Sequence, residues 1–337
     1  MLTTTMGRIS INNANDFSRG NHGFQISALL QELMVYAGQL QCYAHCQEVI
    51  EKFLCVQVSA TQVYRLTDLY GKELGETVDF TTRTQPPLQA KEHLYVEADA
   101  SMVLTRGQGW KEVKAGRVFK STDCLHPEGK QGMITHSQYL AQMGSHKSFS
   151  EKMEALIEDY TTTQQQMVFI TDGAPWLRNW IEDAFPQATS ILDFYHLLEH
   201  LYQFSEAFFA DASEAKQWVE QQKELLLESH TQQVIDHVNG LAASKRKQPI
   251  KAKLLAYLEA NRSRMDYRHY QSIGCGIIGS GAIESAHRTV VQKRMKLSGQ
   301  RWSKTGAQHM LNLRVLYMNH QWDKVIQLAK TNLANSA

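Results

Sequence analysis

The chain has almost no excess of charge. Its 35 Lys and Arg stand against 34 Asp and Glu, so a net charge of +1 by itself selects neither a nucleic acid nor a membrane as partner. Cysteine is sparse: Cys42, Cys46, Cys55, Cys124 and Cys275, with no C-x-x-C pair. An odd number without framework spacing argues against a disulfide scaffold or a zinc ribbon, and for reduced thiols. No apolar run approaches the length of a bilayer span, and the opening "MLTTTMGRISINN" lacks the apolar core of a signal peptide. A soluble, intracellular protein is therefore expected. Internal repeats and low-complexity blocks are missing too. What is present is globular: 43% of the 337 residues are hydrophobic and 20% charged, enough for one large domain or two to three ordinary ones.

The neutral total hides an uneven distribution. From Ser285 to Lys304 there are six basic residues, Arg288, Lys293, Arg294, Lys296, Arg301 and Lys304, and no Asp or Glu. Leu241 to Tyr270 carries eight basic residues against Glu259 and Asp266, whereas Tyr195 to Gly240 carries eight acidic ones against Lys216 and Lys223. A basic C-terminal third is the footprint of phosphate contact, although a solvated helix face is also basic.

Residues 1–24, rich in Asn, Ser and Gly, read as a poorly ordered lead-in. Residues 25–80 show helical periodicity, with Leu29, Leu33, Tyr36 and Leu40, then Cys46, Val49, Ile50 and Phe53 at three-to-four spacing. Ser59 is placed to cap a third helix through Val63, Leu66 and Tyr70. Two helices, a turn and a third helix fit either a DNA-reading helix-turn-helix or plain three-helix packing. "TRTQPPLQAKE" marks a linker and a boundary near residue 90.

Beyond it the rhythm changes. "LYVEADASMVL" and "GWKEVKAGRVFKS" read as strands, "STDCLH" as the edge of a third, and "MVFIT" as a buried strand. "SEKMEALIEDYTTTQ" and "PWLRNWIEDAF" read as helices, and "TSILDFYHLLEHLYQF" as a short strand running into a helix. The predicted class is α/β, a mixed sheet covered by helices. Residues 205–270 are helical in pattern with no strand candidate; "HRTVVQKRMKL" and "AQHMLNLRVLYM" are helical, and a frayed tail is expected over 321–337.

Two carboxylates occupy positions where charge seldom serves stability. Asp99 follows "LYVEA" on the first sheet strand, and Asp172 follows "MVFIT" at the end of a buried one. A charge there costs desolvation unless it is paired or holds a metal, and ligands gather outside the carboxyl ends of such strands. The plainer readings are a hydrogen-bonded buried aspartate and a turn aspartate. A third acid, Glu284, lies in "IGSGAIESAHR" at the start of a helix, where it also complements the macrodipole. Two strand acids and a late helix acid are what a divalent-metal nuclease or strand transferase needs: Mg²⁺ is hard, prefers oxygen, and is held by a few carboxylates plus substrate phosphates.

The blocks "LYVEADASMV", "WKEVKAGRVF", "FITDGAPWLRNWIEDAFPQATSILDFYHLLEHLYQF" and "IGSGAIESAHRTVVQKRMKLSGQRWSKTGAQHMLNLR" resemble, in this order, bacterial insertion-sequence transposases of the ISKra type, relatives of the Mutator-like DDE transposases. The resemblance runs from about residue 25 to about residue 320. It implies an RNase H-like core over 90–204 and 271–320, interrupted by an all-helical insertion over 205–270. It further implies Asp99, Asp172 and Glu284 as the catalytic, metal-binding acids of two Mg²⁺ ions, with Mn²⁺ as substitute. An acid-x-x-His pair of the family falls on Asp193 and His196, read either as orienting scissile DNA and buttressing the site or as a structural histidine with a carboxylate partner. This chain has "DAS" where many relatives place Gly after the first acid, which leaves Glu97, on the same strand face, as the other candidate. The paired cysteines of a zinc module in longer relatives have no counterpart here.

The expected function is DDE-type transposition: cleavage at transposon ends and joining to target DNA by a homodimer or larger assembly, in the bacterial cytoplasm. Arg288, Lys293, Arg294, Lys296 and Arg301 are the expected DNA contacts. Trp302 is either a base-stacking residue or a core tryptophan. The rivals are a domesticated DNA-binding protein without strand transfer and a structure-specific nuclease on the same fold.

Overall fold

A computed structural model describes residues 2–4, 7–9, 26–77, 88–125, 132–160 and 162–334. Most of the expected lead-in and of the Pro-marked linker therefore lies outside the described residues. Within the former, β1 (Leu2–Thr4) and β2 (Gly7–Ile9) pair as an antiparallel hairpin.

The helical segment forms α1 (Ala28–Leu40), α2 (Tyr43–Leu54) and α3 (Ala60–Thr77). Ser27 accepts a hydrogen bond from Leu30 N at 3.4 Å, and Ser59, as its position predicts, accepts one from Gln62 N at 3.2 Å. Met34, Val35, Leu66, Tyr70 and Leu74 make the core between them, and Tyr70 Oη donates to Gln31 Oε1 at 3.0 Å.

The sheet is mixed and five-stranded. Its members are β3 (Leu94–Thr105), β4 (Gly109–Lys120), β7 (Gln138–Met143), β8 (Met167–Thr171) and β9 (Thr189–Leu192), in the order β7-β4-β3-β8-β9. β4 runs antiparallel to both neighbours, while β3, β8 and β9 are parallel. The β3–β4 turn requires positive φ at Gly107 and Gly109, 70° and 67°, which glycine adopts without a steric penalty. The edge expected at "STDCLH" is corrected: β5 (Cys124–Leu125) pairs only with β6 (Met133–Ile134), and the third sheet strand is "QYLAQM" of β7.

Each face of the sheet has its own cover. Leu94, Val96, Ala98, Met167 and Phe169 pack under α4 (His146–Glu158) and α5 (Pro175–Ala184). The opposite face, with Tyr95, Val168, Ile170 and Ile191, packs against α6 (Phe194–Phe208) and the helical block expected as an insertion: α7 (Ala212–Leu227), α8 (Thr231–Gly240), α9 (Gln248–Ala260) and α10 (Tyr267–Tyr270). Alternation along each strand, with side chains two apart sharing a face, makes this division.

The chain then returns to the sheet through α11 (Gly281–Ala286), a π-helical turn His287–Gln292, and α12 (Lys293–Met295). Two more helices, α13 (Lys304–Met318) and α14 (Asp323–Ala334), follow. The frayed tail is thus corrected: Val325 and Ala329, one turn apart, are buried in the α1–α3 core. Across α13 the first helices join the sheet, because Asn312 Nδ2 donates to Gly71 O at 2.9 Å while Gln308 Oε1 accepts from Met143 N at 2.8 Å. Among the described residues, no helix is long and apolar enough to cross a membrane.

Candidate active site

The register of the parallel strands sets the site. Glu97 pairs with Ile170 and Thr171 with Leu192; carried onward, the same registers bring Asp99, midway along the longer β3, level with Asp172 and Asp193, which stand just past the ends of β8 and β9. Neighbouring strands lie about 5 Å apart, so the acids share one rim. They fall on the face covered by the insertion and the C-terminal helices.

Asp172 is half-buried, and its Oδ1 accepts from Ala174 N at 3.0 Å. Burial pushes its carboxyl above the usual aspartate range and the negative charge of Asp99 pushes it further; the Ala174 bond and the positive potential of His196 and Arg264 pull the other way. Asp99 is partly exposed, with Oδ1 on Ala100 N and Oδ2 3.4 Å from Nε2 of the buried His287. Glu284 projects from the first turn of α11 into solvent, and its side chain makes no hydrogen bond or ion pair among the described residues. It stands one turn before His287 on the same helix, and residues three apart share a helix face.

Glu97, the other first-acid candidate, has a different place. It is fully buried, its Oε2 accepts from Ile283 N at 2.7 Å, and its Oε1 has no partner. Burial pushes its carboxyl up to about 8, against smaller opposing effects of the Ile283 bond and Arg117. Arg117 Nη1 donates to Ala282 O at 2.9 Å. Glu97 and Arg117, opposite each other on β3 and β4, thereby fasten the start of α11 to the sheet.

The Asp193/His196 pair separates. Asp193 is the buried N-cap of α6: Oδ1 accepts from Tyr195 N at 2.9 Å and Oδ2 from Ser280 Oγ, tying this strand end to the segment before α11. His196 lies a turn into the helix, 3.7 Å from Glu199 Oε2, with its ring 4.9 Å from that of His200. Its influence reaches Asp172 rather than a contact with Asp193.

Several contributors were not foreseen. Arg264, after α9, donates from Nη2 to Thr171 Oγ1 at 2.6 Å and to Ile191 O at 3.0 Å, bracing the ends of β8 and β9. Tyr257 of α9 lies over Gly173, where a Cβ would run into its ring, and its hydroxyl is buried without a partner. Nothing local in "LLAYLEANRSR" signals either role, since the partners sit more than 70 residues earlier.

Carboxylate oxygens of Asp99 and Asp172, the charge of Asp99 raising the cost of ionising Asp172, fit by donor chemistry a hard divalent cation that keeps waters and takes phosphate oxygens. Among the described residues, no group of three His, Cys, Asp or Glu is gathered around one point, so Glu284 does not join Asp99 and Asp172 in one cluster. Of the expected DNA contacts, Arg288, Lys293, Lys296 and Arg301 are exposed. Arg294 is turned inward, which corrects its expected place among the exposed basic residues, and Trp302 is buried, in line with its reading as a core tryptophan. The Arg294 guanidinium lies 4.8 Å over the Tyr43 ring and 5.0 Å over that of Trp302, its Nε donates to Gly38 O at 2.8 Å, and Trp302 Nε1 donates to Met295 O at 3.1 Å.

Fold and site define a mixed α/β protein with acids level across three neighbouring parallel strands, roofed by a block of helices. The match to the model of the uncharacterised protein family UPF0236 spans residues 25–331, and the chain belongs to that family. No curated protein matches the sequence.

Proposed function

We propose that the protein is a DDE-type DNA transposase built on an RNase H-like core. The observation that supports the reading is the parallel β3–β8 register, which, carried two residues past the Glu97–Ile170 pair, brings Asp99 in mid-β3 level with Asp172 just past the end of β8, with the Glu284 helix packed against the same face. Counted along the chain, the five sheet strands lie in the order 3-2-1-4-5 with only the second reversed, the order expected of an RNase H-like sheet. The helical block between α6 and α11 stands where the resemblance to ISKra-type transposases expects an insertion.

In this reading Asp99, Asp172 and Glu284 would hold two Mg²⁺, or Mn²⁺ in their place, which supply Lewis-acid activation of a phosphodiester and of the attacking oxygen. The chain's own part is positioning. Glu97 and Arg117 fix the height of α11 and so of Glu284; Arg264 and Asp193 hold the strand ends that carry the site. The exposed Arg288, Lys293, Lys296 and Arg301 neutralise duplex phosphates. Water attacks the phosphodiester at a transposon end and the 3′-oxygen leaves; the freed 3′-hydroxyl then attacks target DNA in line, its proton passing to solvent and the target's own 3′-oxygen leaving. A homodimer or larger assembly would hold the paired ends.

The test compares wild type with Asp172→Asn and Glu284→Gln on a duplex carrying a cognate end. Loss of Mg²⁺-dependent cleavage with salt-sensitive binding intact supports the proposal. Variants that match wild type favour a DNA-binding protein without strand transfer, and cleavage without joining of pre-cleaved ends favours a nuclease.

A further inference from the structure

A second site lies at the far end of β3, where the α2–α3 helices meet the segment before α13. It is a cavity of about 340 Å³, within the size of small-ligand pockets. We propose that it binds one unstacked nucleotide, base inward and phosphate at the rim. Three features carry this.

The walls are aromatic. Tyr43 and Tyr64 stand with ring centroids 5.5 Å apart and planes tilted by 58°, and Trp302 lines the inner wall. Flat rings in a half-open cleft suit a planar heterocycle, and stacking of this kind tolerates any base.

The interior holds a donor that lacks an acceptor. Arg294 is 1% exposed, yet among the described residues its Nη2 has no hydrogen-bond partner, whereas Nε and Nη1 are engaged by Gly38 O and Gln300. A buried N–H left unsatisfied is costly, and a carbonyl or ring nitrogen of a base would satisfy it. Asp68, on the same wall, offers a carboxylate that His309 Nδ1 approaches to 2.9 Å, so the cavity presents both a donor and an acceptor to a base edge.

The rim is cationic. Arg106 and Arg301 are exposed and neither is in an ion pair; Arg106 Nε donates to Arg301 O at 3.2 Å, which leaves both guanidinium forks to an incoming phosphate. Arg106 is seven residues beyond Asp99 along an extended strand, about 23 Å at the usual rise. A nucleotide here is therefore not the one that reacts. In the transposase reading it belongs to the same DNA several nucleotides from the scissile phosphate. The inference rests on that reading only for the source of the nucleotide.

The experiment titrates the full-length protein with a single-stranded oligonucleotide carrying 2-aminopurine, and separately with deoxyadenosine monophosphate, reading probe and tryptophan fluorescence. Wild type is expected to bind, Tyr64→Ala and Arg301→Ala to bind about tenfold more weakly, the loss of one stacked ring or one phosphate contact. Asp172→Asn is expected to bind as wild type, which separates this site from the acids: failure of cleavage with nucleotide binding intact would sink the proposed function alone. Saturation by the free monophosphate identifies a soluble nucleotide as the source, and binding of the oligonucleotide alone identifies DNA. Absence of binding by wild type, or Tyr64→Ala and Arg301→Ala both binding as wild type with unchanged circular dichroism, overturns the proposal.

Discussion

Arg264 Nη2 donates to Thr171 Oγ1 at 2.6 Å, one residue before Asp172. A guanidinium from the helical insertion thus holds the strand end that presents an acid, so the insertion is part of the scaffold of the site. Arg264→Ala removes bonds to Thr171, Ile191 and Asn261 at once. We expect it to lower the unfolding free energy by about 3 kcal/mol in urea denaturation, and to impair cleavage more than the stability loss accounts for.

Glu97 makes stability depend on pH. Its folded carboxyl is pushed up to about 8 by burial, from an ordinary 4.5. Between those values the folded state keeps a proton that the unfolded chain releases, so the contribution is full below about 4.5 and is lost as pH rises towards 8. Glu97→Gln carries a permanent neutral amide and should flatten this fall. Thermal unfolding of both proteins from pH 5 to pH 9 checks it: the variant should gain on wild type as pH rises, and parallel curves would refute the assignment.

The two first-acid candidates separate by the same pair of assays. Asp99 is partly exposed and bonds only its neighbour's N–H beside His287, so Asp99→Asn should change stability by less than about 0.5 kcal/mol while abolishing metal-dependent cleavage. Glu97→Gln should retain cleavage at neutral pH. The opposite pattern would make Glu97 the ligand.

Burial divides the basic residues. Arg288→Ala and Lys293→Ala should each weaken DNA binding and reduce the slope of log affinity against log salt by about 1, without changing stability. Arg294→Ala should do the reverse, costing about 2 kcal/mol of stability with little change in salt slope, because its partners are Gly38, Tyr43 and Trp302. Filter binding over a salt series distinguishes them.

Two glycines test how rigidly the parts are joined. A Cβ on Gly71 would run into the backbone carbonyl of His309, and α3 and α13 must separate to admit it. Gly71→Ala should cost about 1–3 kcal/mol. A Cβ on Gly279 would clash with the ring of Tyr195, a 62% exposed side chain, and meet Asp193 Oδ1 at an ordinary 3.5 Å, so Gly279→Ala should cost less than about 1 kcal/mol. Denaturant midpoints provide the comparison.

Local pattern was enough for much of this. Alternation in "LYVEADASMV" and the apolar run "MVFIT" are properties of a few adjacent residues, and so are the Ser59 cap and the Pro175 helix start; these elements stand where the sequence puts them. β7 was missed because "QYLAQM" is short and mostly polar at alternate positions, and pairing with β4 alone makes it a strand. The α14 helix was missed because few of its residues, Val325, Leu328 and Ala329, pack against the α1–α3 core.

For the site, residue type and place in the chain singled out Asp99, Asp172 and Glu284, but Glu97 obeys the same two-residue alternation as Asp99. What divides them is a partner nearly 190 residues away, the Ile283 N–H. Arg294 and Trp302 likewise look like surface cation and ring until α1 and α2 close over them. Side-chain periodicity is decided by the backbone's own repeat and can be read in order along the chain. Whether a charge meets water or a buried partner is decided by which distant segments pack together, and for this protein that was settled only in three dimensions.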